Sequence, residues 1–169
     1  MGSPSDVRRF RDSRATEYDI LDVVEVQCPR CRSAARVLPA PGVEPTAHRP
    51  FFQPRRMACP SCGATRQHNG NRLTFSSAAA RGPATDPYFG LPLWIQAHTR
   101  HGWLWAYNLE HLTLIRSYVE ADLRERAHWY DTNQKMTLVA RLPVWIKRGK
   151  NRQELIRVID RLRASLPPT

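Results

Sequence analysis

The chain has 169 residues, a formal net charge of +11 and a pI near 10.4. Hydrophobic residues make up 41% and charged residues 24%, which is typical of a globular protein and excludes a disordered one. No stretch approaches the roughly 18 apolar residues that a membrane helix needs. The N-terminus also lacks the apolar run of a signal peptide. We therefore expect a cytoplasmic protein without a membrane partner.

Positive charge is concentrated in two blocks of the chain. Residues 28–81 carry nine arginines against one acid, Glu44, and residues 132–169 carry nine lysines or arginines against Glu154 and Asp160. A balance this basic favours an acidic partner, either nucleic acid or the acidic surface of a protein.

The first half of the chain predicts a small β unit. Residues 1–18 are polar and rich in arginine, and we interpret them as a basic flexible tail. A β-branched segment, 20–26, and the segments 34–38 and 66–75 predict strands. Residues 39–54 contain five prolines and predict an irregular loop. Residues 19–76 thus form one unit, and residues 77–87, rich in Ala, Ser, Gly and Pro, are predicted as a linker.

The second half, residues 88–169, predicts a hairpin followed by about three helices. Aromatic segments at 88–95 and 103–107 suggest two strands, with the polar residues 96–102 between them. Asn108 is a good cap for a helix to about Ala127, because apolar residues recur there at intervals of three and four. A second helix is predicted from about Asp131 to Lys150, kinked at Pro143, and a third from Asn151. The predicted fold class is α+β.

Four cysteines carry the strongest chemical signal. They form two Cys-x2-Cys pairs separated by 27 residues: Cys28, Cys31, Cys59 and Cys62. A tight turn aims both thiolates of a pair at one ion, and two such turns complete a tetrahedron. In a reducing compartment this pattern indicates a metal site and not disulfides. Iron or a redox pair is the alternative, but two matched pairs favour one structural Zn2+ ion. Four thiolates leave no open position for a catalytic water.

Proline follows the first cysteine of each pair, at Pro29 and Pro60, and Gly63 follows the second pair. This pattern resembles the zinc ribbon group over about residues 20–75. The resemblance implies a small three-stranded β unit around a structural zinc ion held by the four cysteines. The proline-rich insert between the two pairs departs from the pattern. Members of the group bind DNA, RNA or protein, so the resemblance does not choose a function.

We hypothesise a non-catalytic, zinc-binding regulator that binds nucleic acid, DNA included. Arginine bonds phosphate with two parallel hydrogen bonds, and a basic helix junction near residue 150 offers further phosphate contacts. The predicted contact residues are Arg30, Arg32, Arg55, Arg56, Arg66, Lys147, Arg148, Lys150 and Arg152. The alternative is an adapter that docks on an acidic protein of the transcription or translation machinery, with the aromatic segment 88–107 as its interface.

Two further sets of residues leave alternatives open. His98 and His101 suggest a weaker hypothesis, a nuclease-like enzyme, against the interpretation that they are exposed turn residues. Phe51 and Phe52 lie in the basic insert, where they either stack on bases or attach the insert to the neighbouring domain. The tryptophans and the other aromatic residues of the second half are interpreted mainly as core.

Overall fold

The computed structural model of the chain describes residues 7–43, 51–76, 82–124 and 137–167. Within these ranges the chain mixes helices with small sheets. The strands are β1 (Arg9–Phe10), β2 (Val24–Gln27), β3 (Ala34–Pro39), β4 (Arg55–Ala58), β5 (Thr65–His68), β6 (Ile95–Thr99), β7 (Gly102–Ala106) and β8 (Leu123–Arg124). The α-helices are α1 (Glu17–Ile20), α2 (Leu109–Glu120), α3 (Val144–Lys147) and α4 (Arg152–Ala164), with a 3-10 turn at Gly149–Asn151.

The first half folds into a four-stranded antiparallel sheet in the order β2-β3-β4-β5. Val24 pairs with Val37 and Val37 pairs with Met57, so these three side chains share one face of the sheet. All three are fully buried. The predicted strand at 66–75 is shorter in the structure, because β5 ends at His68.

The free edge of β2 is covered by the second half of the chain. The Glu25 amide donates to the Tyr107 carbonyl at 2.7 Å, and the Gln27 amide donates to the Pro92 carbonyl at 2.8 Å. Leu93 and Tyr107 join the core that lies beneath the sheet. The β unit and the second half therefore share a hydrophobic core.

The described part of the predicted linker is packed into the protein. Ala84 and Asp86 are 2% and 1% exposed. Asp86 accepts amide hydrogen bonds from Tyr88, Phe89 and Leu91, which close a turn onto the core. Residues 77–81 of the predicted linker lie outside the described ranges.

The hairpin of the second half has a different register from the predicted one. Ile95 pairs with Ala106 and Thr99 pairs with Gly102, so residues 96–99 belong to β6 and not to the connection. Gln96 can lie in the strand because its side chain accepts from the Ala84 amide and donates to the Leu93 carbonyl. A side-chain amide whose hydrogen bonds are made within the protein can be partly buried. Because the segment is polar, the sequence pattern placed it in the connection and not in the strand.

Helices α2 and α4 pack against the hairpin to form the second core. Ile115 and Val119 of α2 and Leu155 and Ile159 of α4 are at most 2% exposed. Asn108 caps α2, as predicted, by accepting from the His111 amide at 2.9 Å. The helix ends at Glu120 and not near Ala127, and the next residues pair as β8 with β1 in parallel.

The predicted helix 131–150 is largely absent from the described residues. Its first part, 131–136, lies outside them, and residues 137–142 form turns. Within the described part, 137–150, only Val144–Lys147 is α-helical, because Pro143 adopts an extended backbone (ψ 146°) and serves as the cap of α3. The third predicted helix is confirmed as α4.

The segment predicted as a flexible tail contacts the body of the protein from Arg8 onward, because the Asp122 amide donates to the Arg8 carbonyl. Phe10 is 7% exposed and packs edge-on against Tyr118, with ring centroids 5.2 Å apart. The Leu138 amide donates to the Ala15 carbonyl, and Glu17 is buried. None of the helices in the described ranges combines the length and hydrophobicity needed to cross a bilayer.

Candidate metal centre

The two cysteine pairs form the same turn twice. The Cys28 amide donates to the Ser33 carbonyl, and the Cys59 amide donates to the Ala64 carbonyl. The Arg32 amide donates to the Cys28 carbonyl, and the Gly63 amide donates to the Cys59 carbonyl, at 2.9 Å in both turns. The φ angles of Arg32 and Gly63 are +62° and +70°. Left-handed backbone favours glycine, so Gly63 suits its turn and Arg32 is strained.

The four sulfur atoms converge at one end of the sheet. They lie within 4.8 Å of one another, and they are Sγ of Cys28, Cys31, Cys59 and Cys62. Cys28 Sγ is 3.7 Å from Cys62 Sγ, and Cys31 Sγ is 3.5 Å from Cys59 Sγ. Zinc at about 2.3 Å from four tetrahedral sulfurs separates them by roughly 3.8 Å. The arrangement therefore fits one tetrahedral metal ion such as zinc.

The thiols interact electrostatically as a set. A hydrogen bond from the Ser33 amide lowers the pKa of Cys31 to about 6. The Ala64 amide lowers the pKa of Cys62, but burial and the neighbouring thiols outweigh it and raise that pKa to about 12. Four sulfurs this close cannot all ionise without a cation among them. A dication is the natural counter-charge for this group of ligands.

The other sequence-predicted chemistry does not assemble into a site. Within the described ranges, the four cysteines are the only cluster of three or more metal-type ligands. His98 is exposed and lies edge-on to Trp103, and His101 stacks on Trp145 with ring centroids 5.7 Å apart. His101 Nε2 is 3.7 Å from a Glu154 carboxylate oxygen, which Arg100 also contacts. The structure thus gives the two histidines aromatic neighbours and no shared metal site.

Three of the predicted phosphate contacts are exposed in the β unit that carries the cysteine turns. Arg30, Arg32 and Arg66 are exposed, and the first two lie in the first cysteine turn. Arg56, on β4, is partly buried and its Nε lacks a hydrogen-bond partner. These residues give the described β unit a positive surface.

Arg55 must be removed from the predicted contact set, because it is 1% exposed. Its Nη1 donates to the carbonyls of Leu21 and Asp22 at 3.0 and 3.2 Å, and its guanidinium lies over the Tyr88 ring. A buried guanidinium with these partners cannot reach a phosphate. Its role is to join β4 to the end of α1.

Two of the four predicted contact residues at the helix junction make structural hydrogen bonds, and the other two are exposed. Lys147 Nζ donates to the Ala140 carbonyl at 2.8 Å, and burial lowers its pKa. Arg152 contacts Asp122 and the Ala121 carbonyl, which ties α4 to the end of α2. Arg148 and Lys150 are exposed. Only these last two remain as candidates for phosphate contact at the junction.

The two phenylalanines of the insert, Phe51 and Phe52, also differ in burial. Phe51 is partly buried and stacks on Tyr18, with ring centroids 4.1 Å apart, and its carbonyl accepts from the Tyr88 hydroxyl. Phe51 therefore attaches the insert to its neighbours, which is one of the two expectations. Phe52 is 44% exposed and packs against Phe51. Phe52 remains available for stacking.

Sequence reasoning missed a buried charged group away from the metal. Glu17 is 7% exposed, and its carboxylate accepts from Arg141 Nη1 at 2.5 Å and from the Tyr107 hydroxyl at 3.3 Å. Burial raises the pKa of Glu17, although Arg141 opposes the shift. The two charged residues are 124 positions apart in the chain. No local pattern could have paired them.

Comparisons with models of protein families, with curated proteins and with solved structures find no match for this chain.

Proposed function

We propose that the chain is a cytoplasmic, non-catalytic protein of zinc ribbon type that binds nucleic acid, as part of a regulatory role, through exposed cations beside its metal centre. The zinc ion would be held by Cys28, Cys31, Cys59 and Cys62 and would stabilise the fold. Four thiolates around zinc leave no position for a reacting water, which supports a binding function over catalysis at this site.

The observation that carries the proposal is the position of exposed arginines in the first cysteine turn and on β5. Between Val24 and His68 the described residues include six arginines and one acid, Glu25, which pairs with Arg36. Arg30, Arg32 and Arg66 are exposed. A turn closed by backbone hydrogen bonds holds Arg30 and Arg32 at the surface, where a guanidinium can bond phosphate with two parallel hydrogen bonds.

An exposed aromatic residue supports single-stranded nucleic acid as the ligand. Phe52 is 44% exposed and Tyr18 is 38% exposed, and both contact Phe51. Bases stack on aromatic side chains beside a basic groove in proteins that bind single strands. The combination of exposed aromatic rings and unpaired positive charge favours a single strand over a duplex.

Salt dependence of binding tests the proposal. The described surface offers five exposed cations from the predicted set: Arg30, Arg32, Arg66, Arg148 and Lys150. If all five contact phosphates of a single strand, log K against log salt has a slope of about −3.5. Fluorescence anisotropy of the zinc-loaded protein with labelled single- and double-stranded DNA and RNA measures this slope.

A charge-matched pair of variants completes the experiment. Changing Arg30, Arg32 and Arg66 together to Gln should reduce the slope by about 2, because three phosphate contacts are lost. Changing Arg157, Arg161 and Arg163, which are exposed on α4, to Gln removes the same charge elsewhere and should alter the slope much less. Equal effects of the two triple variants would reject the metal-centre surface. Failure to bind any nucleic acid at physiological salt would favour the adapter for an acidic protein instead.

A further inference from the structure

A groove of about 360 Å³ lies on the face of the four-stranded sheet that points away from the core. Val24 and Val37 are buried in the core, so the paired residues Glu25 and Arg36 lie on the opposite face of β2 and β3. The end of α1 and the first residues of α2 form the other wall of the groove. Ligand pockets begin at about 300 Å³, so the groove has room for a small molecule.

The side chain of Asn108 joins the two parts of that wall. Its Nδ2 donates to the Ile20 carbonyl at 2.6 Å and to the Val23 carbonyl at 2.9 Å, whereas its Oδ1 caps α2. All three residues line the groove. These hydrogen bonds hold α1 and α2 at a fixed separation, so a ligand can bind with little reorganisation of the protein.

The groove is acidic although the protein is basic. Four carboxylates line it together with one described basic residue, Arg36, which gives a formal charge of −3. The carboxylates are those of Asp19, Asp22, Glu25 and Glu110. The whole chain carries +11, so the groove has the opposite sign to the protein around it. Among the ion pairs of the described residues, only the Glu25–Arg36 pair involves any of these four acids.

One carboxylate oxygen of the groove lacks a hydrogen-bond donor. Glu25 is 7% exposed, and its Oε1 accepts from Arg36 Nε at 3.0 Å. Its Oε2 is also buried but has no hydrogen-bond partner among the described residues. Burial raises the pKa of Glu25, although Arg36 opposes the shift. A buried carboxylate oxygen without a donor is costly, and a cation in the groove would supply that donor.

Local structure explains two of the other acids but not the third. Asp19 accepts from the Thr16 amide at 2.7 Å at the start of α1. Glu110 lies in the first turn of α2, where a negative charge complements the helix dipole. Asp22 is exposed, and its side chain makes no hydrogen bond within the described ranges. The charges of Asp22 and of Glu25 therefore point to a ligand.

The arrangement of the carboxylates favours an organic cation over a metal ion. A metal site needs ligand atoms that converge on one point, and among the described residues the four cysteines are the only group of three or more that does so. The groove is also lined by aliphatic side chains, those of Ile20, Val23, Leu38 and Leu109. An elongated cation with methylene groups between its charges matches a lining that mixes carboxylates with aliphatic groups.

We propose that this groove binds a linear aliphatic polyamine, whose ammonium groups pair with the carboxylates and whose methylene chain lies on the aliphatic side chains. A triamine matches the formal charge of −3. A small cation is favoured over a basic protein, because it brings no second positive surface against a chain of charge +11. The proposal is independent of the proposed nucleic-acid binding, because none of the predicted phosphate contacts lines the groove.

Titration with the triamine spermidine in the absence of nucleic acid tests the groove. Isothermal titration calorimetry of the zinc-loaded protein should show saturable binding of one spermidine per chain. The diamine putrescine should bind more weakly, and added salt should weaken both. In 15N-labelled protein the amide signals of Ile20, Val23 and Leu109 should shift, whereas those of Val158 and Ile159, in the core of α4, should not.

Two double variants of equal charge identify the site. Asp22→Asn with Glu110→Gln removes two carboxylates from the groove and should weaken spermidine binding about tenfold, because two exposed ion pairs are lost. Glu154→Gln with Asp160→Asn, both on α4, removes the same charge outside the groove and should leave the affinity nearly unchanged. Equal affinities of the two double variants, or failure of the parent to bind spermidine even at low salt, would overturn the proposal.

The remaining outcomes separate the polyamine from other occupants. A lysine-rich peptide that binds the groove more tightly than spermidine would reject a polyamine and assign the groove to a basic segment of a protein. Displacement of spermidine by an equal concentration of Ca2+ would reject the organic cation in favour of a metal ion. Oligonucleotide binding without spermidine binding would keep the proposed function and reject the groove, and the reverse result would keep the groove and reject the proposed function.

Discussion

Replacing Arg55 with Met should destabilise the protein without directly affecting nucleic-acid binding. The guanidinium is 1% exposed, donates to the carbonyls of Leu21 and Asp22, and lies 4.8 Å from the centroid of the Tyr88 ring. Methionine preserves most of the apolar stem but removes every donor. The buried Leu21 carbonyl and the partly buried Asp22 carbonyl then lose a charged partner.

The magnitude follows from these contacts. Hydrogen bonds from a charged donor contribute about 1.5–3 kcal/mol each, so two contribute roughly 3–6 kcal/mol. Relief from burying the guanidinium offsets part of that sum. We expect a net loss of about 3 kcal/mol in the free energy of unfolding. For a chain of 150–250 residues this lowers Tm by roughly 6–12 °C.

Urea unfolding of the zinc-loaded protein, followed by circular dichroism, measures the loss. Arg56→Met is the matched control, because Arg56 is the neighbouring residue but is only partly buried, and it should cost less than about 1 kcal/mol. If Arg55→Met were as stable as Arg56→Met and instead lost affinity for nucleic acid, the buried position assigned to Arg55 would be refuted.

Three further changes test other parts of the structure. Gly63→Ala should cost about 1 kcal/mol through backbone strain alone, because φ is +70° and a Cβ there would meet no atom within 4 Å. Gly149→Ala, at an ordinary φ and an equally open position, should cost nothing, and the urea midpoints of both variants measure the difference. Burial lowers the pKa of His111 from 6.5 to about 4, so the neutral ring contributes its full stability above pH 6.5 and that stability is lost as the pH falls toward 4. The free energy of unfolding should fall by about 2 kcal/mol between pH 7 and 5, and His111→Gln should remove that part of the pH dependence. Asn108→Ala should cost about 2–3 kcal/mol, because Asn108 caps α2 and its Nδ2 donates to the carbonyls of Ile20, the last residue of α1, and Val23. A loss of stability no larger than that of the exposed Thr113→Ala variant would contradict the cap.

The sequence predicted the features that depend on residues close together in the chain. The cysteine spacing predicted a four-thiol cluster, because a two-residue gap can place both sulfurs of a pair on one ion in almost any surrounding fold. Helices α2 and α4 were predicted from a three- and four-residue repeat of apolar side chains that the core later buries. In both cases the signal and the structure lie within the same short segment.

The features that the sequence did not predict depend on contacts between residues far apart in the chain. Gln96 belongs to a strand because Ala84 and Leu93 satisfy its side chain. Glu17 is buried because Arg141, far along the chain, bonds it. Charged and polar residues are usually exposed, so sequence patterns place them outside unless a distant partner is known. The same reason hid the burial of Arg55.

The segment after α2 shows the opposite error. Apolar spacing alone predicted a helix across residues 137–142, but Pro143 fixes an extended backbone and the chain turns before it. Leu138 and Val139 are buried, as a helical stripe would require, but they enter separate cores from a turn. Burial at a helical spacing did not require a helix.

Metal content per chain tests the central claim most directly. Elemental analysis of the purified full chain, repeated on variants with Cys28→Ser or Cys59→Ser, should give one zinc ion per parent chain and much less in both variants. Because the four sulfurs fit a tetrahedral ion, cobalt substituted for zinc should give the absorption spectrum of a tetrahedral four-thiolate site. A parent chain that folds without metal, or that retains its zinc when these cysteines are replaced, would contradict the account.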